Sequence, residues 1–366
     1  MIFHRYYDDA LAQASYMIGC ERSAEAIVID PNMNLDLYLR GARDENLQIV
    51  AVTETHIHAD FASGSRALAR ATGARLYVSA EGGDGWQYSF ASEPGVTTLQ
   101  DGDSITIGSV RVDVLHTPGH TPEHLTFLVT DLARSEIPVG AITGDFMFIG
   151  DVGRPDLLER AAGQAGTMKA AAASLYDSIS NFKKLPDYLQ IWPGHGAGSA
   201  CGKAMSSAAQ STLGYERVAN WAFAPMSEAD FVDRVLDGQP TAPPYFGAMK
   251  VRNRDATIQP TRHLPRIMTA DEVASLSPAD GAVIVDVRDE DEWATGHIPN
   301  ATLIPLPVLH TRLSELPRDR PVIVHCQRGS RSAAAAATLD AFGFDDVHDV
   351  EGGFLAWEAS GHPVAH

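Results

Sequence analysis

The chain has 366 residues, and 45% of them are hydrophobic. Because domains usually settle near about 100 to 200 residues, this length and composition predict two cores. Lysine and arginine number 28 against 47 aspartates and glutamates, so the formal net charge is −19. This charge, with no basic run in the sequence, argues against a nucleic-acid partner and against an anionic membrane surface.

The amino-terminal segment and the cysteines indicate the compartment. Residues 1–17 lack the basic start and uninterrupted apolar core of a secretory signal, and no segment approaches the length of a membrane span. Three cysteines, Cys20, Cys201 and Cys326, are widely separated and odd in number. They argue against a disulfide framework and for a reducing compartment, so we expect a cytoplasmic protein.

Short apolar strands alternate with Gly, Pro and Asp turns through the first half of the chain. The predicted strands are residues 25–30, 49–52, 75–78, 104–107, 111–115, 125–129 and 189–192. Helical patterns interleave with them at residues 64–71 and 168–179. The alternation predicts an α/β domain, which we place at residues 1–240.

The stretch 241–264 has little periodicity and several prolines, which is typical of a linker or a wrapping segment. After it, strands are predicted at residues 282–287, 302–304, 322–324 and 346–350, with helical stretches such as 330–341 between them. This alternation predicts a second, smaller α/β domain with a parallel sheet at residues 265–366. Residues 200–264 carry no motif, and we expect them either to cover a functional site or to order the two domains.

Four strand ends in the first domain carry histidine or aspartate. These residues are His56, His58 and Asp60 after the strand at 49–52, then His120, Asp145 and His195 after later strands. A lone histidine is most often a hydrogen-bonded or surface side chain. Four such strand ends together indicate a metal site, because loops at the carboxyl ends of strands commonly hold ligands.

These motifs resemble the metallo-β-lactamase superfamily over residues 10–200, which implies an αββα sandwich with metal held between strand-end loops. The last histidine of the superfamily motif His-x-His-x-Asp-His is replaced here by Phe61. A phenyl ring cannot ligate a metal. In dinuclear hydrolases such as glyoxalase II this position helps to hold the second zinc, so the replacement favours one metal.

His56, His120 and Asp145 then form a set of two histidines and one carboxylate, which leaves positions open on Fe(II) for O₂ and substrate. The same positions match the iron ligands of the persulfide dioxygenases, a branch of this superfamily. The sequence TGDFMFIGDVGRPDLLE around Asp145 resembles that branch too. The resemblance implies one Fe(II) per chain.

His58, Asp60 and His195 remain beside the three predicted ligands. We interpret them as hydrogen-bond partners that orient the ligands or a bound water. A second metal site is the alternative.

The resemblance also implies where a thiol carrier would bind. In the family an arginine just after the ligand aspartate's loop binds the carboxylate of glutathione, and Arg154 matches it. A salt bridge to Asp151 or Asp156 is the alternative role for this side chain. By analogy, Lys169 and Tyr176 on the following helix could reach the same carrier.

In the second domain the strand at 322–324 leads through Cys326 directly into the helix at 330–341. A thiol at a helix N-terminus, in a turn of inward-pointing N–H groups and beside Arg328 and Arg331, favours a thiolate and an anionic Cys–S–S⁻ intermediate. We therefore predict Cys326 as the nucleophile, Arg331 as its catalytic partner and Arg328 as a substrate contact.

The motifs VDVR at 285–288 and EW-x-x-GHIPNA at 292–301 complete a resemblance to rhodanese domains over residues 265–366. Cysteine phosphatases wrap a phosphate with a longer loop between their cysteine and arginine. Only four residues lie between Cys326 and Arg331 here, and this shorter loop suits sulfur rather than phosphate. Inactive rhodanese folds used for docking typically lack the cysteine. Together the two domains resemble bacterial persulfide dioxygenase–rhodanese fusions.

This resemblance implies that the first domain converts a small-thiol persulfide and O₂ to thiol and sulfite. It also implies that Cys326 moves sulfur between thiosulfate or sulfite and a thiol or persulfide, in a direction that the sequence leaves open. The alternatives are a zinc thioester hydrolase of the glyoxalase II kind and a non-catalytic persulfide sensor or sulfur carrier. Glutathione, coenzyme A and bacillithiol all stay open as the carrier, and the family suggests a homodimer or homotetramer.

Overall fold

The computed structural model describes residues 1–8, 11–160, 166–243, 245–255, 266–276 and 281–366. They divide into two compact units. The first contains the described residues of 1–8, 12–242 and 250–257, and the second contains residue 11 and the described residues of 243–249 and 258–366.

The first unit contains two six-stranded sheets. In spatial order, the first sheet consists of β1 (Ile2–Asp8), β2 (Gln13–Cys20), β3 (Glu25–Ile29), β4 (Gln48–Thr53), β5 (Arg75–Ser79) and β6 (Val96–Leu99). Strands β1 to β3 pair antiparallel, whereas β3 to β6 pair parallel. The parallel half therefore brings the carboxyl ends of β3 and β4 to one edge.

The second sheet faces the first. Its strands are β7 (Ser104–Ile107), β8 (Val110–His116), β9 (Leu125–Asp131), β10 (Gly140–Gly144), β11 (Gln190–Pro193) and β12 (Ser211–Thr212), in spatial order 12-11-10-9-8-7. Strands β10 and β11 are parallel and the other pairs antiparallel. Apolar side chains from both sheets, such as Ile27 and Phe127, form the core between them.

Helices cover the outer face of each sheet. Those of this unit are α1 (Leu35–Asp44), α2 (Ser65–Thr72), α3 (Leu157–Arg160), α4 (Met168–Phe182), α5 (Leu213–Ala219) and α6 (Glu228–Leu236), with a 3-10 helix Trp221–Phe223. Helix α1 packs on the first sheet and α4 on the second. In α4, Ala172, Leu175 and Ile179 are spaced three and four residues apart, so one helix face is buried. The predicted αββα sandwich is confirmed.

Helix α7 (Phe246–Asp255) lies within the stretch predicted as a linker at 241–264. Residue 244 and residues 256–264 of that stretch lie outside the described residues. The boundary between the two units falls inside this helix, because residues 243–249 group with the second unit and 250–257 with the first.

The second unit has a five-stranded sheet. Its strands are β13 (Arg266–Met268), β14 (Val283–Asp286), β15 (Thr302–Leu303), β16 (Val322–His325) and β17 (Val347–Val350), in spatial order 13-17-16-14-15. All its pairings are parallel, as predicted. The helices are α8 (Ala270–Ala274), α9 (Glu290–Thr295), α10 (Leu306–Leu309), α11 (Ser330–Ala341) and α12 (Gly353–Ala359), with a 3-10 helix Leu313–Glu315. Separate apolar clusters form on the two faces of the sheet.

Within the described part of the chain, we find no helix with the length and apolar character needed to cross a bilayer.

Candidate metal centre and cysteine site

The structure brings together the three side chains predicted as iron ligands. His56 follows β4 of the first sheet, whereas His120 and Asp145 follow β8 and β10 of the second. One nitrogen of each histidine and one oxygen of the carboxylate lie within 4.8 Å of one another. All three residues are buried, with at most 3% of their surface exposed. Two nitrogens and one oxygen so placed could hold a single metal ion.

The carboxylate of Asp145 needs a cation. Neither of its oxygens makes a hydrogen bond among the described residues. The nearest ion-pair contacts are His120 Nε2, 3.5 Å from Oδ2, and His195 Nε2, 3.4 Å from Oδ1. A buried carboxylate without donors is costly by several kcal/mol, on the order of the penalty for any unpaired buried charge. A divalent ion held with His56 and His120 would compensate it, so these residues fit a metal.

His56 is held in the tautomer that a metal ligand requires. The Thr55 hydroxyl donates its only proton to Asp30 Oδ2 over 2.9 Å, so it must accept from His56 Nδ1–H, also at 2.9 Å. The lone pair of Nε2 is then left for the metal. Burial and the neighbouring histidines hold the pKa of His56 well below its ordinary value, so the ring is neutral, as ligation demands.

Asp30 is a functional residue that the sequence analysis missed. It is 1% exposed, follows β3, and accepts hydrogen bonds from Thr55 N at 2.7 Å and from His58 Nε2 at 3.0 Å. Its φ of 53° lies in the left-handed region, which Asp and Asn tolerate better than most residues. Its place at the end of the predicted strand 25–30 was the available signal, because that strand also ends at the ligand-bearing edge.

We expect Asp30→Asn to weaken metal binding by about tenfold or more, because the Asp30–Thr55 pair fixes the His56 ring. Asparagine keeps the volume and tolerates the left-handed backbone, but it has one acceptor oxygen where three donors converge. Competition for Co(II) against a coloured chelator measures the effect. Asp113→Asn, which alters a half-exposed pair with Arg111, is the control and should bind Co(II) normally. Unchanged affinity in Asp30→Asn would refute the orienting role.

His58 donates its Nε2–H to Asp30, its Nδ1 has no hydrogen-bond partner among the described residues, and its ring lies 4.3 Å from that of His56, centroid to centroid. Burial alone would lower the pKa of His58, but Asp30 with Glu54 and Asp60 raises it to about 9. A charged imidazole cannot bind metal. These contacts agree with the interpretation of His58 as a hydrogen-bond partner, which stays a prediction.

His195 links the two sheets beside Asp145. Its Nδ1 donates to Ala12 O over 3.0 Å, and its Nε2 lies 3.1 Å from Asp60 Oδ2. Burial opposes a charge on this ring, yet Asp145, Cys201 and Asp60 together raise the pKa of His195 well above its ordinary value.

The alternative of a second metal also has a donor set. Ligand atoms of Asp60, His195 and Cys201 lie within 4.8 Å of one another, and all three residues are buried. Burial raises the pKa of the Cys201 thiol to about 12, which opposes metal ligation because a thiolate is the binding form.

Phe61 stands where the superfamily motif has its last histidine. Its ring is buried and lies 4.4 Å from the ring of His58, centroid to centroid. It therefore supplies an apolar wall beside the ligand loop and no donor.

The contacts of Arg154 favour the salt bridge over the predicted substrate role. Its guanidinium is fully buried and donates twice to Asp156, at 2.9 and 2.7 Å. Nη1 donates to Ala200 O at 3.0 Å, and Nη2 donates its other proton to Pro240 O at 2.6 Å. Four of the five guanidinium N–H groups are thus engaged by the chain, which leaves little for a two-pronged bond to a substrate carboxylate.

The other two predicted carrier contacts are equally unsupported by geometry. Lys169 is exposed on α4. The Tyr176 hydroxyl donates to Met226 O over 3.2 Å, and its ring packs against Phe231 at 5.4 Å between centroids. Both assignments stay predictions.

In the second unit, Cys326 follows β16 and precedes α11, as predicted. It is 1% exposed, and its Sγ accepts from Gly329 N at 3.1 Å and from Ser332 Oγ at 3.6 Å. The first residues of α12 support this turn, since Phe354 N donates to Cys326 O over 2.8 Å. These donors suit an anionic sulfur.

The two arginines beside the thiol are placed differently. Arg331 makes a two-pronged ion pair with Glu292, at 2.6 and 2.7 Å, which lowers the pKa of Glu292 to about 2. Its charge is thus partly balanced, and its catalytic role stays a prediction. Arg328 is exposed. A third arginine, Arg288, pairs with Asp286 and donates to Gln327 Oε1 over 2.9 Å, which ties the cysteine turn to the core.

Two family models match the chain. The metallo-beta-lactamase superfamily matches residues 8–195, and the rhodanese-like domain matches residues 269–360. The chain belongs to the metallo-beta-lactamase superfamily and carries a carboxyl-terminal rhodanese-like domain.

Solved structures with similar folds cover most of the chain. A metallo-beta-lactamase from Staphylococcus aureus subsp. aureus COL is 38% identical with a TM-score of 0.74, covering 96% of this chain and 98% of its own. ETHE1 from Myxococcus xanthus is 26% identical with a TM-score of 0.58, covering 70% of this chain and 100% of its own.

Curated relatives match each half separately. Thiosulfate sulfurtransferase GlpE of Ectopseudomonas mendocina is 39% identical over 82 residues, which are 22% of this chain and 75% of the relative. Hydroxyacylglutathione hydrolase of a Polaromonas species is 30% identical over 198 residues, which are 53% of this chain and 66% of the relative. The chain is therefore similar to a thiosulfate sulfurtransferase in one part and to a hydroxyacylglutathione hydrolase in the other.

Proposed function

We propose that this chain oxidises the terminal sulfur of a small-thiol persulfide with O₂ at a single iron, and that its second domain transfers sulfur through Cys326. The observation that supports the proposed oxidation is the buried group of His56, His120 and Asp145. Two neutral nitrogens and one carboxylate suit Fe(II) with open coordination positions, whereas structural zinc more often takes a fourth nitrogen or sulfur.

The proposed oxidation balances as R–S–SH + O₂ + H₂O → R–SH + SO₃²⁻ + 2 H⁺. Iron(II) held at the site would supply the redox chemistry and the open positions that O₂ and sulfur need. Asp145 contributes the negative charge that the ion requires, and the Asp30–Thr55 pair keeps the His56 ring in place. Phe61 makes one side of the site apolar, which limits water beside the ligand loop.

The proposed transfer is Cys–S⁻ + S₂O₃²⁻ → Cys–S–S⁻ + SO₃²⁻, with the second sulfur then passed to an acceptor thiol. The Sγ of Cys326 attacks the outer sulfur of thiosulfate, and the bond from that sulfur to the sulfonate breaks. Gly329 N–H, 3.1 Å from Sγ, is placed to stabilise the sulfur anion. The oxidation yields sulfite, so its product is also a reactant of this transfer run backwards.

Metal analysis and O₂ uptake test the oxidation directly. We expect protein purified without added metal to contain about one iron per chain and to consume O₂ with glutathione persulfide. Removal of the metal by a chelator should abolish uptake, and Fe(II) should restore it, because the proposed oxidation depends on iron to react with O₂. About two zinc ions per chain with no O₂ uptake would refute the proposal.

A zinc thioester hydrolase is the second candidate, and one observation favours it. The group of Asp60, His195 and Cys201 beside the first three ligands could hold a second ion. A hydroxyacylglutathione thioester is the substrate to offer, because hydrolases of that name share this half of the chain. Thioester hydrolysis that rises with added zinc and needs Asp60 would support this candidate against the first.

A further inference from the structure

One side chain of helix α7 bonds directly to the loop that follows β4. Asn253 is 6% exposed and lies in the part of α7 that belongs to the first unit. Its Nδ2 donates to His58 O over 2.7 Å and to Phe61 O over 2.9 Å. Its Oδ1 accepts from Ser63 N over 3.0 Å. One amide thus satisfies three backbone groups within six residues of loop.

Other bonds hold the two ends of this loop. Thr55 N donates to Asp30 Oδ1 over 2.7 Å, Ile57 N to Glu123 Oε1 over 2.9 Å, and Gly64 N to Pro31 O over 2.7 Å. The middle of the loop, which carries Asp60, forms no helix or strand, so its backbone groups need outside partners. A hydrogen bond from Ser63 Oγ to Glu54 Oε1 closes the loop across its base. Asn253 bonds the same loop at residues 58, 61 and 63, on either side of Asp60.

We infer that Asn253 is a positioning residue for the metal centre, acting through the backbone of residues 58–63. Its two donated bonds hold the peptide carbonyls that flank Asp60, and they seat the Phe61 ring against His58. The inference rests on the proposed function, in that it assumes a metal at His56, His120 and Asp145. It assigns a role in that centre to a segment in which the sequence shows no motif.

Separate contacts hold α7 in place without Asn253. Arg254 O accepts from Ser89 N over 3.0 Å, and Arg254 Nη1 donates to Gly85 O over 3.3 Å. The ammonium of Lys250 lies 3.1 Å from the centre of the Trp86 ring. We therefore expect α7 to stay in place when residue 253 is substituted, so that only the loop after β4 changes its conformation.

Titration with Co(II), read by its visible absorption, tests the inference in the full-length chain. Asn253→Ala removes all three bonds. Asn253→Asp keeps the size and the acceptor for Ser63 N–H but cannot donate to the two carbonyls. We expect both variants to bind Co(II) about tenfold more weakly and to change the Co(II) band shape, as is typical when residues that orient metal ligands are lost.

Asn220→Ala is the matched control. Asn220 is a buried amide in the same unit whose Nδ2 donates to Asp151 O and Glu216 Oε2, each at 3.0 Å, and makes no bond to residues 58–63. It should lose comparable stability toward urea but keep wild-type Co(II) affinity and spectrum. Equal loss of affinity in this control would attribute the effect to general destabilisation and overturn the inference.

Two further outcomes separate this inference from the proposed function. Wild-type affinity and spectrum in both Asn253 variants would overturn the positioning role while leaving the metal site intact. A wild-type chain that binds no Co(II) or Fe(II) would overturn the proposed function and this role together. Loss in Asn253→Ala alone, with Asn253→Asp unaffected, would show that packing and not hydrogen bonding matters, which also contradicts the inference.

Discussion

Asp145→Asn should abolish persulfide-dependent O₂ uptake, with kcat/KM lowered at least about 1,000-fold, equivalent to about 4 kcal/mol of barrier. The variant loses the anionic member of the ligand set, and an amide oxygen is a poor substitute for a carboxylate on Fe(II). Iron content after purification should fall well below that of the wild type. Oxygen-electrode assays and elemental analysis on the same sample measure both effects.

The same substitution should leave folding nearly unaffected. In the metal-free chain the Asp145 oxygens have no hydrogen-bond donor among the described residues. Replacing one of them by an amide nitrogen removes a carboxylate whose ion-pair contacts with His195 and His120 are long, at 3.4 and 3.5 Å, so the free energy of unfolding without metal should change by no more than about 1 kcal/mol. Sulfur transfer from thiosulfate to a thiol should stay at the wild-type rate, because it depends on Cys326. Joint loss of both activities, or normal iron with normal uptake, would contradict the assignment.

The ligand set could be predicted because its signal is local. Each of His56, His120 and Asp145 follows an apolar strand, and strand-end loops of a layered sheet structure meet at one edge. The residue at position 61 then narrowed the predicted site to one metal ion, because Phe61 replaces the last histidine of the superfamily motif. The structure confirms the αββα sandwich that this motif implied and shows the three side chains close together.

The residues that hold the ligands could not be found in the same way. Asn253 bonds to a carbonyl 195 positions away in the sequence. Nothing around it marks this contact, because α7 has no clear apolar face and lies in a stretch whose prolines suggested a linker. Asp30 carried a weaker local signal as an acidic residue at a strand end, but its link to His56 runs through the Thr55 hydroxyl and depends on three-dimensional placement.

The list of predicted strands omits β1 and β2 at the start of the chain, for different reasons. Strand β1 is half-buried along its whole length, so it lacks the alternation that marks an exposed sheet face. Strand β2 is buried throughout, yet it includes Gln13 and Ser15, which interrupt an apolar run. Those polar groups find partners inside the fold, since Gln13 donates to Asp30 O and Ser15 bonds to the Tyr38 hydroxyl.

The predicted substrate contacts depend on packing that the sequence does not show. Arg154 matched a family position, but locally it was equally placed to pair with a neighbouring carboxylate, and Asp156 takes that place. An arginine next to aspartates in a sequence could bind a substrate or form a salt bridge, and its contacts in the folded chain are needed to choose between these roles. The proposed roles of Arg154, Lys169 and Tyr176 in binding the carrier therefore stay predictions.

Cys326→Ser should lower thiosulfate-to-thiol sulfur transfer at least about 1,000-fold while O₂ uptake and iron content stay at wild-type values. Serine fits the same space, but a neutral hydroxyl cannot take sulfur from thiosulfate as a thiolate does. Thiocyanate formation from thiosulfate and cyanide gives a direct rate. Cys20→Ser is the control, because Cys20 is buried at the end of β2, where it bonds to Ser109. This variant keeps Cys326 and should transfer sulfur at the wild-type rate.

Cys326→Ser and Asp145→Asn together form a reciprocal test, since each removes one activity and spares the other. Their mixture should recover both activities, and sulfite released by the Cys326→Ser chain should then be available to the Asp145→Asn chain. Transfer that survives in Cys326→Ser but disappears in Cys201→Ser would move the sulfur acceptor to the first unit, beside His195 and Asp60. That result would refute the nucleophile assigned here, and it would make the buried Cys201 thiol part of the chemistry of the metal centre.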